Sequence, residues 1–148
     1  MPAKSLSRST ARLAAVQALF QMDAAQTSVA QLLKEFHDHR LGAVLDDVAY
    51  ADAEPDFFDD LVTGALQRRE EIDVLISDRL ASGWSMARLD RTMLQILRAG
   101  AFELLAHDDI TTATIISEYV DLAKAFFDPR DAGFANGLLD AIAKVVRD

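Results

Sequence analysis

Three basic side chains near the start of the chain, Lys4, Arg8 and Arg12, are spaced four residues apart. A helix would place them along one side, because residues four apart are neighbours on a helix surface. The first 22 residues contain no acidic residue, whereas the whole chain has 15 Lys and Arg against 24 Asp and Glu and a formal net charge of −9. Such a charge asymmetry is typical of a docking site for polyanions. On charge alone, a solvated helix face that happens to be basic is the simpler interpretation.

The residues that most enzymes and metal sites require are missing from the sequence or wrongly spaced. The chain has no cysteine, which excludes disulfides, thiolate zinc sites and cysteine nucleophiles. Its six glycines form neither a phosphate-binding loop nor a dinucleotide fingerprint. His37 and His39 would not share a helix face, so we interpret them as the edge of a solvated loop. Paired acids such as Asp59 and Asp60 are interpreted as solvated helix faces. We therefore expect no catalytic residue, no metal site and no cofactor.

Length and composition are those of one globular domain covering residues 1–148. A chain of this length can bury about two-thirds of its unfolded surface, and a hydrophobic content of 51% argues against disorder. Charged residues interrupt the apolar runs well before the 18 or so residues that a membrane span needs. The N-terminus also lacks the continuous apolar segment of a secretory signal. We therefore expect a cytoplasmic protein.

The first half of the chain shows the periodicity of helices. The first predicted helix begins near residue 9 and carries an apolar stripe beside its arginines. That stripe consists of Leu13, Val16 and Phe20. Ser28 is a suitable N-cap for a second, short helix. Residues 38–54 are weakly patterned and are predicted to form a loop with at most a helical turn. Pro55 suits the first turn of a third helix, which is predicted to break near 68–71.

The second half of the chain contains the most apolar segments. A helix over 90–105 has an apolar surface nearly all the way round, with a narrow polar stripe that includes Gln95 and Arg98. Another helix is predicted over 111–127, and a last one begins near Asp131. No alternating strand pattern competes with these helices. The predicted fold class is therefore all-α, with about seven helices.

Four segments of the sequence match a known family in order and spacing. They read STARLAAVQALFQMD at the leader, ARLDRTMLQILRAGAFEL at the central helix, IISEYVDLAKAF at the next and FANGLLDAI at the last. They closely resemble the NusB family of bacterial transcription antitermination factors. The corresponding family patterns are A-V-Q-A-L-[YF], I-L-R-x-A-x-[YF]-E-L, I-N-E-A-V-E-L-A-K and F-V-N-G-V-L-D. The similarity spans nearly the whole chain and is weakest over 38–54.

This resemblance implies a fold, a function and a set of partners. The fold would be two packed helical sub-bundles, and the role would not be enzymatic. Proteins similar to NusB bind the boxA element of nascent ribosomal RNA jointly with NusE, a small-subunit ribosomal protein. Their complex joins RNA polymerase and suppresses premature termination. Relatives occur as monomers and as homodimers that hide the RNA face, and the sequence leaves a homodimer open.

The resemblance also identifies candidate RNA-binding residues in the leader. The matching bases are Lys4, Arg8 and Arg12, and Gln17 lies further along the same helix. Reversing Arg8 and Arg12 to Glu is expected to weaken RNA binding and to change the stability by only about 0.5–1 kcal/mol, as for exposed charges. Phe20 is interpreted as part of the core rather than as a stacking surface.

A second group of candidate RNA-binding residues lies in the last helix. Phe134, Asn136 and Gly137 match the family pattern F-V-N-G, which lies near the RNA surface. Aromatic rings commonly stack on the unpaired bases of single-stranded RNA. Phe134 also fits the apolar stripe of its own helix, so stacking and core packing both remain open. Gly133 and Gly137 are four residues apart and form a small-residue face that another backbone could approach closely.

The sequence departs from the family pattern at several positions. Ser117 replaces the Asn of I-N-E, and Ala135 replaces the Val of F-V-N-G. Some relatives carry an acid shortly before I-L-R that faces NusE, and this chain has Met93 there. That contact is therefore not carried over. Arg98 and Glu118 are interpreted as a structural ion pair rather than as ligand contacts.

Two other functions remain as alternatives. One is a helical adaptor that binds only protein partners. The other is an RNA-binding module related to the N-terminal domain of RNA cytosine methyltransferases, although the chain has no room for their cofactor-binding domain. Retention of RNA by this chain together with NusE, but not by NusE alone, would distinguish the antitermination factor from the adaptor.

Overall fold

A computed structural model describes the backbone of residues 2–39, 44–45, 48–49 and 54–147 and the side chains of 8–38 and 54–147. Within these ranges it contains seven α-helices, a short 3₁₀ helix at Met86–Arg88 and two very short strands. The helices are α1 (Pro2–Ala25), α2 (Val29–His39), α3 (Pro55–Gln67), α4 (Arg69–Ser77), α5 (Arg91–Ala106), α6 (Thr112–Phe126) and α7 (Pro129–Val146). The predicted all-α class with about seven helices is confirmed. None of the helices in the described ranges has the length and apolar character that crossing a membrane requires.

The chain divides into two compact units, residues 1–63 and 64–148, with the boundary inside α3. In the first unit, α1 contacts α2. In the second unit, α5 contacts α4, α6 and α7, and α6 also packs against α7. The fully buried side chains of the second unit are concentrated on α5, where every residue from Met93 to Leu104 is buried. The helix predicted to be the most apolar is therefore the centre of this unit.

Polar side chains at the helix N-termini determine where several helices begin. The Ser28 hydroxyl accepts a hydrogen bond from the backbone N–H of Gln31 at 3.2 Å, as predicted for an N-cap of α2. Asp90 caps α5 by accepting from the N–H groups of Thr92 and Met93. Asp128 caps α7, whose first residue is Pro129, slightly earlier than the sequence pattern indicated. These caps satisfy donors that have no partner within the helix itself.

The buried side of α1 is not the side that the sequence pattern predicted. Val16 is buried, but Leu13 is only half-buried and Phe20 is 40% exposed. The prediction that Phe20 belongs to the core is therefore wrong. The fully buried residues of this helix are mostly alanines, namely Ala11, Ala14, Ala15 and Ala18. Small side chains permit a close approach of neighbouring elements, and a pattern that weights large apolar residues does not detect such a face.

The predicted loop over residues 38–54 lies largely outside the described residues. Where the structure does describe this segment, it differs from the prediction. Helix α2 continues to His39, so His37 lies in a helix rather than at a loop edge. Two antiparallel strands, β1 (Val44–Leu45) and β2 (Val48–Ala49), also form a short ladder. Two-residue strands carry too little alternation to be recognised from sequence.

The polar residues of α5 are buried and partnered within the second unit. The Arg98 guanidinium donates two hydrogen bonds of 2.9 Å to the carboxylate of Asp73 on α4. Arg98 is therefore a structural residue, but its partner is Asp73 rather than the predicted Glu118. The fully buried Glu103 accepts a hydrogen bond of 2.6 Å from the Tyr119 hydroxyl on α6. Buried polar groups require such partners, so these contacts fix α4 and α6 against α5.

Arg147, just beyond the end of α7, holds that helix in place. Its guanidinium donates to the backbone carbonyl oxygens of Leu104, Ile110 and His107 at 2.9, 2.7 and 2.6 Å. These carbonyls lie at the C-terminal end of α5 and in the connection to α6. Because a helix C-terminus has unpaired carbonyls and a negative partial charge, a cation there is favourable. Arg147 thereby fixes the helix that carries Phe134.

Candidate nucleic-acid interface

The two described arginines of α1, Arg8 and Arg12, lie on the buried side of the helix rather than on a fully solvated side. Arg8, Arg12, Ala15 and Leu19 follow at helical spacing, and the last three are buried. The backbone of Lys4 belongs to the same helix. Its side chain lies outside the described residues. The two described arginines of the predicted basic stripe are therefore continuous with the packed face of α1.

Arg8 is the more accessible of the two arginines that the structure describes. Its side chain is 27% exposed, and its Nε lies 3.4 Å from a carboxylate oxygen of Glu54, just before α3. Its guanidinium carbon also lies 4.8 Å above the ring of Phe57. Both contacts orient the guanidinium, and the side chain as a whole remains partly exposed. An oriented, partly exposed guanidinium can bind a phosphate with several donors at once.

Arg12 does not lie on a solvated face, in contrast to the sequence prediction. Only 3% of the residue is exposed. Its guanidinium carbon lies 5.1 Å from the centre of the Phe57 ring, the same ring that Arg8 covers. Phe57 is itself almost fully buried. Arg12 is therefore part of the packing between α1 and α3, and burial removes it from direct reach of an RNA backbone.

The other two polar or aromatic candidates on α1 differ in exposure. Gln17 is half-buried. Phe20, which lies three residues further along, is exposed. Phe20 and Gln17 both lie on the side of α1 away from the alanine face. The ring of Phe20 is the more exposed of the two. Among the described side chains of the first unit that were considered for RNA binding, Arg8, Phe20 and part of Gln17 are thus accessible.

The three candidates on α7 are all exposed. Phe134 is 39% exposed, and Asn136 and Gly137 are also exposed, whereas Ala135 between them is fully buried. A Cβ atom added at Gly133 or Gly137 would meet no atom within 4 Å. The small-residue face of α7 is therefore open in this structure. The exposure of Phe134 favours stacking over core packing, because a core phenylalanine would be buried.

Phe134 lines a cleft of the second unit that sequence analysis did not identify. The cleft has a volume of about 400 Å³ and is lined by Ala81, Trp84, Arg88, Leu89, Asp90, Met93, Phe127, Arg130, Asp131 and Phe134. Trp84 is 54% exposed, and the guanidinium carbon of Arg88 lies 5.0 Å from the centre of its ring. One feature of the sequence could have indicated this cleft. Trp84 is the only tryptophan of the chain, and it lies in a turn beside Gly83, with Arg88 four residues later.

The candidates are thus distributed over both units. Lys4, Arg8, Arg12 and Gln17 belong to the first, and Phe134, Asn136 and Gly137 belong to the second. Residues 8–38 and 54–147 contain no cluster of His, Asp and Glu side chains that could hold a metal ion. The exposed groups among the described candidates include the partly exposed Arg8 side chain, the ring of Phe134 and the amide of Asn136. Such groups bind phosphates and stack on bases.

Comparisons with known proteins agree on one family. Residues 9–144 match the model of the NusB family. The transcription antitermination protein NusB of Sphingopyxis alaskensis is 62% identical over 147 residues, which cover 99% of both chains. That of Novosphingobium aromaticivorans is 63% identical over 140 residues, or 95% of both. A crystal structure of the antitermination factors NusB and NusE in complex with double-stranded RNA contains a similar chain. It matches with a TM-score of 0.78 and 28% identity, over 94% of this chain and 97% of that one.

Proposed function

This chain belongs to the NusB family, and we propose that it is a transcription antitermination factor that binds the boxA element of nascent ribosomal RNA together with NusE. In this role it joins the RNA polymerase complex and suppresses premature termination. The whole chain acts as one RNA-binding module in the cytoplasm, as a binding protein rather than an enzyme, and it requires no cofactor.

The observation that carries this proposal is the similarity to a NusB chain crystallised with NusE and RNA. The similarity extends over nearly the whole of both chains. Two relatives that are more than 60% identical to this chain are both named transcription antitermination proteins. This favours the antitermination factor over a module of an RNA methyltransferase. It leaves the protein-only adaptor as the alternative that an experiment must exclude.

Arg8 is the described basic residue that best fits a phosphate contact. It combines partial exposure with two contacts that orient its guanidinium, one to Glu54 and one to Phe57. Lys4 lies four residues earlier in the same helix and is proposed as a second cation for RNA. Gln17 is proposed as a separate polar contact, because it is half-buried and lies on the side of α1 away from the alanine face. Because Arg12 is buried, we assign it a packing role against Phe57, next to Arg8, rather than a direct RNA contact.

Phe134, Asn136 and Gly137 are proposed as the second RNA contact. The phenyl ring is exposed and can stack on an unpaired base. The Asn136 amide can donate to and accept from a base edge. Because Gly137 has open space at its Cβ position, an RNA backbone can approach α7 closely there.

The acidity of the chain favours joint binding with a basic partner. With a net charge of −9, the protein as a whole repels RNA, but charges separated by more than about 8 Å are largely screened at physiological salt. A few local cations can therefore contact phosphates, although their number limits the affinity. A ribosomal protein rich in basic residues would be attracted to the acidic surface and would contribute phosphate contacts of its own. We therefore propose that tight RNA binding requires NusE.

The experiment is to measure binding of fluorescently labelled boxA RNA to this chain, to NusE and to the two together. The pair is expected to bind RNA more tightly than either protein alone. If adding this chain to NusE leaves the RNA affinity unchanged, while the two proteins still associate, the chain is an adaptor that binds only protein.

A charge-reversal variant tests the contribution of Arg8. R8E should weaken RNA binding by the pair, whereas K34E should not. Lys34 is an exposed residue of α2 in the same unit, so K34E changes the net charge by the same amount. Equal losses for the two variants would show that RNA senses only the overall charge. Sedimentation of the free chain and of the complex would determine whether a homodimer dissociates when RNA and NusE bind.

A further inference from the structure

Two large aromatic side chains that line the cleft, Trp84 and Phe134, are exposed to solvent. Trp84 is 54% exposed and Phe134 is 39% exposed, and they come from separate segments of the second unit. Large aromatic side chains stabilise a fold by being buried, so two exposed rings lining one cleft indicate a binding surface. Building on the proposed RNA-binding function, we propose that this cleft binds an unpaired RNA base, with Trp84 and Phe134 as its two stacking surfaces.

The turn that carries Trp84 is held in place by local contacts. The backbone N–H of Trp84 donates to the Ala81 carbonyl at 3.0 Å. Arg88 donates to the Gly83 carbonyl at 3.0 Å, and its guanidinium lies over the indole ring. Gly83 has a φ of +89°, a conformation that other residues rarely adopt. The indole is therefore positioned before any ligand binds, which reduces the loss of entropy on binding.

The size and charge of the cleft also suit a base attached to a phosphate backbone. Its volume of about 400 Å³ lies within the range of about 300–1,000 Å³ typical of small-molecule pockets. Arg88 and Arg130 lie at the cleft and can contact phosphates on either side of a bound base. Two acids also line the cleft, Asp90 and Asp131. Asp90 caps the N-terminus of α5 and Asp131 lies in the first turn of α7, so each charge is partly offset by a helix dipole.

An unpaired base fits this cleft better than a base within a duplex. In an A-form duplex the base faces are stacked on one another and are not available to protein rings. A single strand can turn a base outward, and stacking on aromatic rings is the usual way in which proteins hold it. The proposal therefore predicts a clear difference between single-stranded and duplex RNA of the same sequence.

Trp84 reports on its own environment, because it is the only tryptophan of the chain. Its fluorescence should be measured during titration with single-stranded boxA RNA, with the corresponding duplex and with NusE, each separately, and with single-stranded RNA plus NusE. Labelled RNA provides an independent measurement of binding. Stacking predicts that single-stranded RNA quenches the emission and that the duplex does not.

Substitutions separate stacking from a structural effect. W84A should weaken binding of single-stranded boxA RNA by about fivefold or more, the scale of one lost base–aromatic stack, whereas W84F should retain most of the affinity. V145A is the matched control, because Val145 is also 54% exposed in the second unit and does not line the cleft. Since both positions are exposed, both variants should keep the wild-type melting temperature.

Each outcome decides between distinct interpretations. If labelled RNA binds but Trp84 emission is unchanged and W84A binds normally, the cleft is not a base site and the proposed function still stands. If the duplex quenches as strongly as the single strand, base stacking is excluded. If NusE alone changes the emission and RNA adds nothing, the cleft is a protein-docking site. If no RNA binds even with NusE, the proposed function fails together with this inference.

Discussion

The α1 cluster, formed by Arg8, Arg12 and Phe57, and the aromatic cleft beside α7 both combine arginines with aromatic rings, but they expose different groups. In the α1 cluster, the ring of Phe57 is buried beneath two guanidinium groups, and one of these, Arg12, is itself buried. In the cleft, the rings of Trp84 and Phe134 are exposed at a surface that also contains arginines. The α1 cluster therefore exposes a positively charged side chain, Arg8, above a buried ring. The cleft exposes aromatic rings on which a base can stack.

This contrast shows that residue type alone does not determine what a surface can bind. The α1 cluster has the stronger sequence signal for binding RNA, yet of its two described arginines only Arg8 has a partly exposed side chain. The cleft has a weak sequence signal but offers two accessible rings. We therefore expect α1 to contribute phosphate contacts and the cleft to contribute base contacts. These expectations can be tested separately through stability and through RNA affinity.

The largest expected effect is the loss of stability when the buried arginine is reversed. R12E should lower the free energy of unfolding by about 3–5 kcal/mol, because it breaks buried interactions and places a carboxylate in a packed site. This replaces the smaller effect expected when Arg12 was assigned to a solvated face. Urea unfolding monitored by helical circular dichroism measures the change. A loss below about 1 kcal/mol would mean that Arg12 is accessible in solution.

The apolar core of the second unit provides the reference for the cleft. L97A should lower the stability by about 2–5 kcal/mol, because Leu97 is fully buried at the centre of α5. L66A should have a smaller effect, because Leu66 is only half-buried. F134A should have the smallest effect, at about 1 kcal/mol or less, since its ring is exposed. Denaturant titrations of the three variants that gave the reverse order would place Phe134 in the core.

The pairing of Arg8 with Glu54 predicts a small gain of RNA affinity. Glu54 occupies part of the guanidinium that a phosphate would use, so E54Q should release Arg8 and strengthen boxA RNA binding by about two- to fivefold, the scale of a half-exposed ion pair. D56N is the control, because it removes the same charge from an exposed position two residues later. If D56N strengthens RNA binding as much as E54Q does, the gain comes from weaker overall repulsion between the acidic protein and RNA rather than from the release of Arg8.

The sequence predicted the helices of this fold more reliably than the faces they bury. The N-cap at Ser28, the start of α3 at Pro55 and the central position of α5 could be predicted, because caps and continuous apolar surfaces are local signals. On α1 the assignments of Arg12 and Phe20 were reversed. That helix carries both a stripe of large apolar residues and a stripe of alanines, and periodicity alone does not show which one a neighbouring helix covers.

In the candidate site, too, local features could be predicted from the sequence, whereas contacts between distant segments could not. Phe134 and Asn136 could be proposed from a motif that lies within one helix. Trp84 could not be associated with them, because it lies about 50 residues earlier in the chain and only the packing of the second unit brings the two segments together. The partners of Arg8 and Arg98 were missed for the same reason, since Glu54 and Asp73 are 46 and 25 residues away in sequence.

The salt dependence of RNA affinity distinguishes phosphate contacts from base contacts most directly. Affinity for single-stranded boxA RNA, with NusE present, should be measured over a range of salt concentrations for wild type, R8A and W84A. R8A should reduce the slope of log affinity against log salt by about 0.7, the effect of one phosphate contact on a single strand. W84A should lower the affinity at every salt concentration and leave the slope unchanged. If the slope of R8A equals that of wild type, or if W84A changes the slope while R8A does not, the assignment of charge to α1 and of stacking to the cleft is wrong.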